Sequence, residues 1–223
     1  MNNDVSPSPA TDDFFDRCRQ WSANMAGIED EAGRIDFMRG RLAQLLLDSH
    51  AVALVLQRIA AGDPALKPGR GGLFDSEMLL YLDPARRFSL RIYFHEAGRF
   101  TPIHDHSAWG ISGTPFGTLG VVRYRRVDDG TAKDRAELVR TRKLALTPGE
   151  VDVVHPLDGG IHQTGSPTDE MNAMISVYGA PLRRLYIRSF DPDTGRVTRH
   201  YPPRIRRRQL AKEAAALLRP ASS

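Results

Sequence analysis

Apolar residues in the first quarter of the chain recur at intervals of three and four. Phe14, Phe15, Cys18, Trp21 and Met25 fall on one face of a helix over 12–25, opened by Thr11-Asp12-Asp13 as a cap. A second helical run covers about 31–61, with Ile35, Met38, Leu42, Leu45 and Leu46 on one stripe, and Asp48-Ser49 is a point at which it can divide into two helices. Asp63-Pro64 ends that run, and Lys67–Gly72 reads as a loop. From about 78 to 200 the pattern becomes short runs between turn residues: Met78–Leu82, Arg87–Glu96, Thr118–Arg126, Glu137–Leu146, Val151–His155, Asn172–Tyr178 and Leu185–Phe190 fit strands. Ile205–Leu218 returns to helical spacing, with Leu210, Ala214, Leu217 and Leu218 on one stripe. Many short strands behind a helical preface predict a mainly β sandwich or barrel carrying N-terminal helices. The expected division is a disordered 1–11, a helical preface over 12–66, a barrel over 75–203 and a basic helix or tail over 204–223.

One strand carries more information than the rest. Phe88, Leu90, Ile92 and Phe94 alternate with Ser89, Arg91, Tyr93 and His95, so the apolar set occupies one face and the polar set the other. The apolar face must pack on protein. The polar face either lines a cavity or meets solvent, and periodicity alone leaves both open.

Composition narrows the class. The chain has 223 residues, 41% hydrophobic and 26% charged, which suits one large globular domain or one with an appendage. No apolar stretch approaches the roughly 18 residues that span a bilayer, so no membrane association is expected. The first residues lack a basic segment followed by an apolar one, which points to the cytoplasm. Cys18 is the only cysteine, so neither an internal disulfide nor a cysteine-based metal site can form within the chain. The net charge of +4 gathers in Arg204 and Arg206–Arg208, with Arg183, Arg184, Arg188, Arg196 and Arg199 before them. No zinc finger, RNP-type aromatic motif or phosphate-binding loop accompanies this excess, and a solvated basic face is preferred to nucleic-acid binding.

The candidate chemistry lies between Gly98 and His106. His104 and His106 stand at i and i+2, so on a strand both imidazoles project from one face within reach of one metal ion. A third histidine, His162, ends Pro156-Leu157-Asp158-Gly159-Gly160-Ile161-His162, after a strand and a Gly-rich turn, and His155 competes with it for the third position. Three neutral nitrogen ligands suit iron, zinc, copper or nickel. Glu96 and Asp105 are carboxylates that could orient these histidines.

These residues resemble the two motifs of the cupin superfamily, whose fold is a double-stranded β-helix, a jelly-roll barrel with its metal inside. Gly110 and Ile111 stand where many cupins carry a glutamate ligand, and that absence is typical of the cysteine dioxygenase-like thiol dioxygenases. Leu79–Ser89, Thr101–Gly110, Gly160–His162 and Ser176–Gly179 look like the bacterial branch that includes 3-mercaptopropionate dioxygenases. The resemblance covers about residues 75–195. It implies Fe(II) held by His104, His106 and His162, with Tyr178 as the active-site tyrosine. The implied reaction turns a small mercapto acid and O2 into a sulfinate. The family's relay histidine is absent, because Met174 and Ser176 precede Tyr178, and its two substrate-arginine positions hold Met78 and Ile187. Arg91, helped by Tyr93 or His95, is the expected carboxylate grip, with Arg188 as a competitor and Trp109 as a further substrate contact. Two other readings stay open: a cupin dioxygenase or isomerase with a non-thiol substrate, and a non-catalytic metal- or ligand-binding cupin whose basic tail meets a partner.

Overall fold

The computed structural model describes residues 9–68, 74 and 76–217. Three helices lead the chain: α1 (Pro9–Met25), α2 (Glu31–Leu47) and α3 (Ser49–Ala60). The first begins three residues before its expected start, at a proline whose fixed φ and missing N–H suit a first helical turn. Of the expected disordered segment, residues 1–8 lie outside the described ones. The break at Asp48-Ser49 has a local cause. The Asp48 N–H bonds Leu45 O at 3.1 Å to close α2, and its carboxylate accepts from Ala51 N at 3.0 Å to open α3. No single described helix is long and apolar enough to cross a membrane.

Twelve strands follow among the described residues: β1 (Lys67–Pro68), β2 (Met78–Leu82), β3 (Phe88–His95), β4 (Ile103–His106), β5 (Gly110–Gly113), β6 (Leu119–Arg126), β7 (Leu138–Leu146), β8 (Val151–Val154), β9 (Leu157–Gly165), β10 (Asn172–Gly179), β11 (Ile187–Phe190) and β12 (Val197–His200). They build two six-stranded sheets, ordered β1-β2-β3-β10-β5-β8 and β12-β11-β4-β9-β6-β7, with antiparallel pairing throughout. Without the added edge strands the order is β3-β10-β5-β8 against β4-β9-β6-β7. The chain switches sheets at every step from β3 to β10 except the β6–β7 hairpin, which is the eight-stranded jelly roll. The fold is therefore the mainly β double-stranded β-helix implied by the sequence, with N-terminal helices and a C-terminal helix α4 (Pro203–Leu217).

Two details differ from the sequence reading. Lys67–Pro68, expected as loop, pair with β2, and 69–72 lies outside the described residues. The Gly-rich stretch before His162 belongs to strand β9. Gly160 is there for close backbone approach, since a Cβ would lie 2.0 Å from His155 O.

The helices cover the outer face of the first sheet. Phe88, Leu90 and Ile92 of β3 and Ala173, Ile175 and Val177 of β10 join Met38, Leu42, Leu45, Leu46 and Trp21 in one buried cluster. Each buried Val, Leu, Ile, Phe or Met among them contributes roughly 1.5–3 kcal/mol by leaving water. Cys18 lies within it, and burial pushes its thiol up to about 12, so it stays protonated and inert. With the apolar face of β3 committed to the helices, Ser89, Arg91, Tyr93 and His95 face the barrel interior. That settles the alternative which periodicity left open.

Candidate metal centre

Strand register brings the three histidines together. His104 on β4 pairs with His162 on β9, and the β4–β9 register shifts between His104 and His106. The shift interrupts the regular ladder between the two β4 histidines. The three imidazole centroids lie 4.8 Å apart in each pair, and the candidate ligand atoms all fall within 4.8 Å of one another. His104 Nδ1 donates to Pro102 O at 2.9 Å, which leaves Nε2 with its lone pair toward the interior. All three rings are buried. Burial pushes the His104 imidazole down to about 4 and holds His106 and His162 well below the usual histidine range, with the neighbouring histidines adding to the effect.

This donor set fits a divalent transition metal. The Nε2 atoms of His106 and His162 stand 2.8 Å apart, so two neutral rings would oppose their lone pairs unless a cation or a proton lies between them. Among the described residues no carboxylate joins the cluster. Asp105, between the two β4 histidines, has the opposite parity and points to the outer face of the sheet. His155 is exposed, and His162 is the third member of the cluster.

Tyr178 on β10 stacks on His106, with ring centroids 5.4 Å apart and planes 22° apart. Gly110 makes room for it, since a Cβ there would stand 2.9 Å from the phenol ring. The Arg91 guanidinium lies 5.9 Å from the centre of the Tyr178 ring and forms an ion pair with Glu77. Cation, phenol and imidazole are thus layered. Tyr93 is buried beside them, and burial pushes its phenol well above the usual range, with the neighbouring Tyr178 phenol adding to the effect. His95 lies on the same face: its Nδ1 donates to Asn172 Oδ1 at 2.8 Å, its Nε2 is buried with no partner among the described residues, and the Asn172 amide nitrogen donates to Thr118 O and Gly165 O. His95 fastens the end of the β3–β10 pair.

Two expected substrate contacts are corrected. Trp109 is fully buried in the core shared with the helices, with Gly179 lying flat beneath its indole; a Cβ on that glycine would come within 1.9 Å. It packs the fold and does not line the site. Arg188 alternates with Ser189, and Ser189 pairs with His104, so Arg188 faces outward. Its Nε donates to Asp105 Oδ2 at 2.6 Å, and its guanidinium also pairs with Asp158.

Several residues at the site were not singled out from the sequence. Phe74 stands edge-on to His104 at 4.8 Å and to Tyr93 at 5.6 Å. Ser189 and His200 form a pair at 2.7 Å on the inner side of β11 and β12. Arg123 on β6 pairs in register with His162, forms an ion pair with Asp152 and donates to Val153 O at 2.7 Å. Local sequence carries no signal for these partners, which come from distant strands.

No protein-family model matches the chain. Among solved structures it is similar to a cupin 2 conserved barrel domain protein from Salinispora arenicola, at 20% identity over 52% of this chain and 81% of that one, TM-score 0.35. It is similar to an RmlC-like cupin protein from Ralstonia eutropha at 17% identity, covering 70% and 86%, TM-score 0.38. It is also similar to an oxalate oxidase at 19% identity, covering 50% and 54%, TM-score 0.36. These likenesses concern the fold alone.

Proposed function

We propose that the chain is a non-haem Fe(II) thiol dioxygenase that converts a small mercapto acid and O2 into the corresponding sulfinic acid. The observation that carries this reading is the buried, all-histidine, carboxylate-free triad with a phenol and a guanidinium layered on one side. Fe(II) held by His104, His106 and His162 would keep its full charge among neutral ligands and supply the acidity toward thiols and the redox chemistry toward O2 that the reaction needs. The reaction RSH + O2 → RSO2H balances without an outside reductant, because the electrons lost by sulfur are those taken up by oxygen.

The chain's own residues have separate tasks. Arg91 binds the substrate carboxylate as a bidentate fork after exchanging its partner Glu77 for it. A buried carboxylate without such a partner is strongly disfavoured. Tyr178, stacked on His106, donates its phenol proton toward the reacting group. Phe74 and the buried strands exclude water around the histidines.

Oxygen consumption by iron-loaded protein against a panel of thiols and non-thiol organic acids tests the proposal. Uptake stimulated by mercapto acids, with sulfinate as product, supports it. Uptake with non-thiol acids only would move the assignment to another cupin oxidation, and no uptake with any member would favour a metal- or ligand-binding role.

A further inference from the structure

Glu77 immediately precedes β2. Met78, the next residue, packs with the helices, and Glu77 meets Arg91 on the inner side of β3. The contact is an ion pair from Arg91 Nη1 to Glu77 Oε1. Both side chains keep surface open to a ligand, 33% for Arg91 and 11% for Glu77. Arg91 Nε also donates to Ser89 Oγ at 3.3 Å. Among the described residues no other cation pairs with Glu77, and its Oε2 accepts no hydrogen bond.

The pair restricts what Arg91 can hold. A ligand carboxylate that takes the guanidinium displaces Glu77. That leaves a largely buried carboxylate without its cation and sets a second carboxylate beside it, and both effects oppose binding. An ammonium on the carbon next to the ligand's carboxylate removes both. It pairs with Glu77 while the carboxylate pairs with Arg91, so one ion pair becomes two. The other inward side chains around the pair, Ser89, Tyr93, Ser176 and Tyr178, offer hydroxyl groups, so Glu77 is the carboxylate there that can answer a cation. The Tyr178 ring separates Arg91 from His106, so a ligand held by the pair need span only one ring to reach the triad.

We propose that Glu77 is a specificity-determining residue, which makes the site prefer thiols whose carboxylate carries an adjacent ammonium over plain mercapto acids. The proposal deepens the thiol reading given above and rests on it. Glu77 thus serves as a stand-in for the substrate's carboxylate in the empty site and as the partner of its ammonium in the filled one.

The test reads binding without turnover. In the cobalt(II)-loaded full chain, the thiolate-to-cobalt charge-transfer absorption is titrated with cysteine and with 3-sulfanylpropanoate. Cysteine should bind at least about ten-fold more tightly, the worth of one charge-assisted hydrogen bond. Glu77→Gln should lose that preference, weakening cysteine and strengthening the plain acid, and Glu77→Asp should keep part of it. A parent that binds the two equally well, or prefers the plain acid, would overturn the proposal even if the variants failed to fold. So would Glu77→Gln shifting both affinities alike. The preference without oxygen uptake would strike the proposed oxidation and leave the role of Glu77 standing. Oxygen uptake with equal binding would do the reverse, and absence of the band with both thiols would overturn both.

Discussion

Asp105→Ala tests how the triad is held in place. The carboxylate is fully buried and pairs with the guanidiniums of Arg184 and Arg188, and it accepts from the Arg188 N–H at 2.7 Å. It ties β4, which carries two of the histidines, to β11 and to the segment before it. Arg188 extends the tie to Asp158 on β9, the strand of His162. Removing one partner of a buried pair typically costs about 3–5 kcal/mol, because the charge left behind has no partner. Arg188 would keep Asp158, whose side chain is 52% exposed, so the lower end applies, about 3 kcal/mol. For a chain of this size that corresponds to a fall of roughly 6–12 °C in melting temperature. Scanning calorimetry of parent, Asp105→Ala and Asp105→Asn measures it. Asn keeps an acceptor for the Arg188 N–H and should recover part of the loss. A loss under about 1 kcal/mol, the worth of a surface pair, would refute the reasoning and show that the network is effectively solvated.

Four further outcomes are expected. His162→Ala should lose bound iron while the fold persists by circular dichroism; full iron content would point to a different third ligand. Tyr178→Phe should retain iron and slow turnover by roughly ten- to a thousand-fold, the range seen on losing a donor at a reacting oxygen, and unchanged kinetics would make the tyrosine structural. Arg91→Lys should raise KM for an acidic thiol far more than for 2-mercaptoethanol, whereas equal effects on both would remove Arg91 from carboxylate binding. The metal-free protein should weaken as pH falls. Above about 6.5 the triad is neutral folded or unfolded, and below it the unfolded chain takes up protons that the buried rings refuse, until pH passes the folded values, about 4 for His104. That imidazole alone accounts for about 3 kcal/mol between those limits, so equal denaturation midpoints in urea at pH 7 and pH 4.5 would contradict the assigned burial.

Local pattern carried much of this structure. The helical stripes, the break at Asp48 and the alternation along β3 are all set by neighbours within a few residues, and the His104–His106 spacing already placed two imidazoles on one face. What remained hidden depends on register between distant strands. Trp109 looked like a candidate contact because its cradle, Gly179, is on another strand. Arg188 looked like an anion grip because the parity of β11 emerges only from the pairing of Ser189 with His104. Arg123 went unnoticed because Asp152 and His162 meet it only across the folded sheets. The stretch before His162 read as a turn because its glycines serve close packing, and sequence does not distinguish that use from a bend.

The two-faced strands β3 and β10 divide labour in a way that bears on evolvability. Their outer residues secure the chain to the helices, while Arg91, Ser176 and Tyr178 look inward from the same backbone. Substitutions at these inward positions leave the helix-facing contacts intact. Such a barrel can therefore explore new ligand preferences at positions 91 and 176 with little loss of foldedness. A library randomised at those two sites should stay largely soluble and metal-binding while its preference among small acids drifts.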